Sequence, residues 1–317
     1  MTTEINNNNR DSHKTVIGTS SCAMCGGRRN YTVLYESTLK GDYSDINRTN
    51  FSARRLPDRV HGTIVKCRKC GLVCTLELID RQYLSGLYKE SAFTYKDILN
   101  NLTRTYRKIV IRALKYVSSK NSFLEIGCGN GFLLKEVMAL GFKKVVGVEP
   151  SINAISFAEE YVKPLIKNTI IKNNLFPPAS FDMIVGFQVF DHIQNPNEFL
   201  SICHKLIRSE GIIILMNHDV NSLSAKILKD RSPICDIEHP YLYGKDTMFD
   251  ILKKNGFDIV DYYNPPSYFS FRYIVRLLPL LDKLKMRIIN SKLKLLDVTV
   301  RVCPGNLCVI ARKEGKE

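Results

Sequence analysis

Apolar residues recur along this chain with two different periods. From residue 122 onward, short apolar runs of strand length alternate with segments whose apolar positions fall three and four apart. "SFLEIG" predicts a strand and "FLLKEVMALG" a helix stopped by Gly141. "KVVGVEP" predicts a second strand, with Ser151 capping the helix "INAISFAEEY". "TIIK" (169–172), "FDMIVGFQV", "GIIILMNH", "DIVDYYN" and "NLCVIARK" predict the remaining five strands. "PNEFLSICHKLI" and "KDTMFDILKKNGF" supply helices between them. This alternation implies right-handed crossovers and a mainly parallel sheet with helices on both faces.

The earlier part of the chain reads differently. "YLSGLYKESAF" and "LTRTYRKIVIRALKYV" carry helical spacing, whereas residues 21–78 carry little. The expected organisation is a polar, disordered leader over 1–20, a small segment over 21–78 and a helical linker over 79–120. An α/β domain over 121–317 follows, with insertions at about 219–245 and 265–305.

Composition narrows the class. With 44% apolar and 24% charged residues the sequence is that of a globular protein, and no apolar run reaches the about 20 residues a bilayer span needs. The first residues lack an apolar signal core, so the expected location is cytoplasmic. A net charge of +15 points to an anionic partner, although a general richness in Lys, Asn and Ile offers a plainer compositional reading.

Candidate chemistry concentrates in two places. The first is "SFLEIGCGNGFLL", where Gly127, Gly129 and Gly131 follow the acidic Glu125. Glycines at the first strand-to-helix turn let a nucleotide-like ligand lie against the main chain. The dinucleotide pattern G-x-G-x-x-G does not fit, because Phe132 stands where its third glycine belongs. Glu149 ends the second strand, where a carboxylate can accept both hydroxyls of a ribose. The second place is a pair of Cys-x-x-Cys-Gly knuckles, Cys22/Cys25 and Cys67/Cys70. Two knuckles supply four sulfurs for a tetrahedral structural zinc ion, a closed shell without an open position. Cys74 is an extra thiol expected to pack.

The pattern E-x-G-x-G-x-G resembles motif I of class I S-adenosylmethionine-dependent methyltransferases, whose fold is a Rossmann-like seven-stranded sheet. The stretch "NNLFPPASFDMIVGFQVFDHIQNPNEFL" resembles the same family from its adenine pocket to an acidic-His pair, here Asp191 and His192. The resemblance implies S-adenosylmethionine as methyl donor, with Glu125 balancing its ammonium group and Glu149 on the ribose. Asn173 or Asn174 would meet the adenine, and Cys128 and Gln188 complete the implied pocket. The cysteine knuckles followed by a tyrosine-bearing helix resemble the zinc segment of bacterial methyltransferases of sugar and polysaccharide biosynthesis. That likeness implies a sugar, nucleotide-sugar or glycan acceptor, probed by His192 and His239 as candidate bases, with Glu238 and His218 as weaker ones. C-methyltransferases of that group carry a further C-terminal domain with no counterpart after "NLCVIARK", which argues against C-methylation.

Two alternatives frame the reading. A ribosomal-type RNA methyltransferase would also use positive charge and a zinc cluster, but the knuckles are far apart and no aromatic-basic nucleic-acid motif is present. A non-catalytic binding module would not need the acids at the glycine turn. The basic, apolar stretch from Tyr268 to Leu296, broken at Pro279, is expected to pack on the sheet, cover the site or rest on a membrane surface.

Overall fold

Seven strands form the central sheet of the computed structural model, which describes residues 16–18, 22–27, 30–40, 46–47, 49–52, 58–278 and 281–314. We number them β1 Ser122–Ile126, β2 Lys144–Glu149, β3 Ile166–Asn168, β4 Phe181–Phe187, β5 Ile207–His218, β6 Phe257–Tyr263 and β7 Asn306–Lys313. Their spatial order is β6-β7-β5-β4-β1-β2-β3. The contacts from β5 through β3 are parallel, while β7 runs antiparallel to both β5 and β6. The strand order reverses between β1 and β4, and that switch point opens a crevice at the strands' carboxyl ends.

Strand alternation explains the two layers. Leu124, Ile126, Val148, Ile184 and Leu215 face one side, and Phe123, Val145, Met183, Val185 and Ile212 the other. β4 is buried at every position, as an apolar run in the centre of a parallel sheet requires. Its one charge, Asp182, accepts hydrogen bonds from the Ser122 N–H at 2.7 Å and from Arg208 at 2.9 Å. Burying each large aliphatic side chain here stabilises the fold by about 1.5–3 kcal/mol.

Helices Phe132–Ala139, Pro196–Leu206 and Lys245–Lys254 form where the spacing predicts them. Three local expectations shift. The third strand is Ile166–Asn168 rather than "TIIK", because Ile170 and Ile171 face a cavity instead of a sheet neighbour. The helix capped by Ser151 ends at Ser156, five residues short of Tyr161. Val16–Gly18, within the expected disordered leader, pairs antiparallel with Glu77–Ile79, and residues 1–15 lie outside the described residues.

The cysteine segment is not a separate bead. Strands Tyr31–Tyr35, Ile64–Cys67 and Val73–Thr75 form a small antiparallel sheet whose edge is completed by Tyr241–Leu242, from the first insertion. Cys22, Met24 and Cys67 share one core with Phe199, Leu206 and Ile251 of the α/β domain. Asn197 and Lys254 donate to the carbonyls of Ala23 and Met24 at 2.7 and 2.8 Å, pinning the first knuckle to two domain helices. The second insertion begins and ends in a hairpin, Ser267–Ser270 with Thr299–Val302, whose Phe269 packs on the sheet-facing core. Between them lie helices Phe271–Leu277 and Asp282–Ile289; Pro279 falls outside the described residues.

Candidate active site

The glycine turn takes its shape from backbone geometry that side chains resist. Gly127, Gly129 and Gly131 have φ of +73°, +56° and +71°, and a Cβ on Gly129 would meet the Tyr95 hydroxyl. The turn is held by Glu149, whose carboxylate accepts from the Gly129 N–H at 2.9 Å and the Ser151 N–H at 2.8 Å. Ser151 in turn caps its helix by accepting from the Ala154 N–H. The acid at the end of β2 thus organises the turn at the end of β1.

Glu125 lies beside this carboxylate with 2% of its surface exposed, and one of its oxygens has no hydrogen-bond partner. Burial pushes its carboxyl well above the usual range, and the negative charge of Glu149 pushes it further. Burial also raises Glu149, opposed by the N–H groups of Ser151 and Gly129. Two buried acids that disfavour each other's ionisation make a place prepared for a cation.

Both acids line a cavity of about 780 Å³. Of the predicted donor-side residues, Glu125, Gly127, Glu149 and Gln188 reach its wall. Cys128, Gly129 and Gly131 stand behind the wall and shape the turn, with the Cys128 thiol buried. Asn173 and Asn174 do not line the cavity, because the chain turns away there with Asn174 at φ +62°. Ile170, Ile171 and Lys172 form that wall instead. Gln188, also left-handed at φ +57°, donates to Asn306 on β7 at 3.1 Å.

A histidine cluster lines the same cavity. Asp191 follows β4, His218 ends β5, and His239 comes from the first insertion. Asp191 is 1% exposed; its Oδ2 pairs with His218 Nδ1 at 3.0 Å, and its Oδ1 lies 3.9 Å from His192 Nε2. Burial alone would raise this carboxyl, but the His218 hydrogen bond and the surrounding imidazoles win and hold it well below the usual range. His192 Nδ1 is 3.2 Å from the Tyr88 hydroxyl, and the rings of His192 and His239 stand edge to face at 4.7 Å. His239 Nδ1 is 2.9 Å from the carbonyl of Ile234, so that nitrogen carries a proton. Tyr88 was visible in the sequence only as part of a tyrosine-bearing helix, and His218 only as a weaker candidate base at a strand end. Neither spacing announced their convergence.

The four cysteines converge as their knuckles imply. Cys22 Sγ lies 3.5 Å from Cys70 Sγ and Cys25 Sγ 3.6 Å from Cys67 Sγ, with all four sulfurs within 4.8 Å of one another. These separations are near the about 3.8 Å edge of a tetrahedron with about 2.3 Å metal–sulfur bonds. Burial raises the Cys67 thiol, but the N–H groups of Cys70 and Lys69 outweigh it and bring it down to about 7. The donor set fits a four-coordinate soft cation. Cys74 is buried beside it in the core, as packing predicts.

Comparison with known proteins bears on the α/β domain. The profile of a family described as "Methyltransferase domain" matches residues 98–262, over half of the chain. The mitochondrial ubiquinone biosynthesis O-methyltransferase of Dictyostelium discoideum is 26% identical over 156 residues, 44% of this chain and 49% of its own length. The ubiquinone biosynthesis O-methyltransferase of Rhodopseudomonas palustris strain TIE-1 is 27% identical over 111 residues, 33% and 44% of the two chains. The chain thus spans about half the length of these curated relatives. A solved SAM-dependent methyltransferase of Aquifex aeolicus covers 67% of this chain and 91% of its own, at 15% identity and a TM-score of 0.43.

Proposed function

This chain belongs to the methyltransferase domain family, and from that premise we propose that it is an enzyme transferring a methyl group from S-adenosylmethionine to a hydroxyl of an amphipathic acceptor. The observation that carries the reading is one cavity with two buried acids on its donor side and a histidine cluster on its other side.

When bound, S-adenosylmethionine supplies a methyl group already activated on a sulfonium. Glu125 would balance the ammonium of its methionine half, and Glu149 would accept the ribose hydroxyls while keeping the turn closed. Most of the catalysis is positioning, because the leaving group needs no help. What the chain must add is a base for the acceptor hydroxyl. His192 takes that role: with its Nδ1–H donated to the Tyr88 oxygen, its Nε2 holds a lone pair, and Asp191 stabilises the imidazolium that forms. His239 then orders and contacts the acceptor beside it.

The acceptor class follows from the walls. Phe269, Ile274, Leu277 and Leu278 offer an apolar surface, while Arg81, Gln194 and Asn195 offer polar groups. A lipid-linked sugar or glycan precursor, anionic through its phosphates, suits both and agrees with the positive charge of the chain. Leu281, Leu284, Leu293 and Leu295 are exposed on the insertion next to Lys283, Arg287 and Lys294, a combination that suits peripheral contact with an anionic membrane. No helix among the described residues is long and apolar enough to cross a membrane. We place the enzyme in the cytoplasm, with a structural zinc ion on Cys22, Cys25, Cys67 and Cys70 that ties the segment to the domain and takes no part in chemistry.

Incubation with methyl-labelled S-adenosylmethionine and panels of polyprenyl-linked glycans, nucleotide sugars, quinol precursors and RNA tests the reading. Label is expected in the polyprenyl-linked fraction. Label in RNA, or in no hydroxylated acceptor while the cofactor binds, overturns it.

A further inference from the structure

We propose that Asp191, His218 and His239 form a binding site for one divalent transition-metal ion, distinct from the four-cysteine cluster and open to the cavity. One candidate ligand atom from each residue lies within 4.8 Å of the other two. Bonds of about 2.1 Å at ordinary coordination angles need ligand separations of about 3–3.5 Å, so small side-chain rotations complete the set. The Asp191–His218 contact, at 3.0 Å, already has that spacing.

Three further features favour an ion over a closed hydrogen-bond network. The Oδ1 of Asp191 has no hydrogen-bond partner although the residue is almost fully buried, an expensive state for a carboxylate oxygen. His239 is locked by the Ile234 carbonyl through Nδ1, the outer contact that commonly fixes the tautomer of a ligating imidazole and frees its Nε2. His218 and His239 both line the cavity, so the positions left open by three protein ligands face the space an acceptor would fill.

Two imidazoles and one carboxylate suit Zn²⁺, Co²⁺, Fe²⁺ or Mn²⁺ rather than Mg²⁺ or Ca²⁺. The ion takes the place of the proton shared by Asp191 and His218, so binding releases a proton and weakens at acid pH. Resting on the methyl-transfer reading, the ion would hold the acceptor oxygen and lower the pKa of its hydroxyl, leaving His192 a smaller task.

The test uses the untagged full chain loaded with one equivalent of zinc, titrated with Co²⁺ by calorimetry and visible absorption. One further equivalent is expected, with d–d bands but no thiolate-to-metal charge transfer. His239→Ala and His218→Gln should each weaken it about 10–100-fold. Titration of each variant with S-adenosylhomocysteine reports whether the fold survives. Absence of a second equivalent in the wild-type chain overturns the proposal, as does equal Co²⁺ affinity in both folded variants. Co²⁺ uptake without S-adenosylhomocysteine binding would leave the metal site standing and remove the methyl-transfer reading.

Discussion

The donor side of the cavity draws its acids and its glycine turn from two short stretches, residues 125–131 and 149–151, whereas the histidine side collects Tyr88, Asp191, His192, His218 and His239 from four separate parts of the chain. On the first side the geometry is local: one acid receives two backbone N–H groups and closes the turn beside it. On the second side the contacts that gather the cluster are long-range, His192 to Tyr88 across 104 positions and His218 to Asp191 across 27. The lesson is a division of labour. On the methyl-transfer reading, the cofactor would be met by a turn that the fold itself builds, and the acceptor by side chains gathered from distant parts of the chain.

Substitutions can break that comparison side by side. His192→Ala should lower kcat about 10²–10⁴-fold while changing S-adenosylhomocysteine affinity by less than about twofold, as expected for loss of a base remote from the donor. A parallel loss of affinity would show that the two sides are not separable. Cys67→Ser should remove one metal equivalent per chain, read by mass spectrometry of the bound metal, and cost about 3 kcal/mol in chemical unfolding. Because Cys67 lies in the same core as Phe199 and Leu206, unfolding of the α/β domain should shift with it. A variant that loses metal but unfolds at the wild-type denaturant concentration would contradict that coupling.

Glu125→Gln sharpens the donor side, and its effect is read through pH. A raised carboxyl favours the neutral form in the empty protein, so its stabilising effect is full at low pH and fades as pH rises through the shifted value. A cationic ligand favours the ionised form. Affinity for S-adenosylhomocysteine, which keeps the ammonium, should therefore rise as pH climbs above the ordinary carboxylate range. In Glu125→Gln that slope should flatten and affinity at the upper pH should fall about tenfold. An unchanged slope would assign the titration to another group.

The last effect is structural. Gly129→Ala should weaken the cofactor analogue by about 1–2 kcal/mol, since its φ is left-handed and its new methyl meets the Tyr95 hydroxyl. Tyr95→Phe in the same chain should recover part of that loss, leaving the strain of the backbone. A full recovery would make the side-chain collision the whole cause.

Legibility in the sequence followed the same division. β1, β2, β4, β5 and β7 declare themselves as apolar runs with acids or polar residues at their ends, and both cysteine knuckles declare their convergence by spacing. β3 does not, because three residues at the sheet edge carry too little pattern, and the nearby isoleucines are apolar for the cavity's sake. Asn174 could not be placed from sequence, since a left-handed residue redirects the chain just there. Tyr241–Leu242 could not either: two residues have no period, and their partner Val73–Cys74 lies far back in the chain. His218 reads only as a weaker candidate at a strand end until Asp191, one strand away, accepts its hydrogen bond. Long-range pairing left no periodic trace in the chain.

Isothermal titration of the purified chain with S-adenosylhomocysteine, set beside Glu149→Ala, tests the central claim most directly. The account predicts one site per wild-type chain and an affinity about 100-fold weaker in the variant, because the substitution removes the ribose acceptor and frees the Gly129 and Ser151 N–H groups together. Absence of binding to the wild-type chain, or equal affinity in the two proteins, would contradict it.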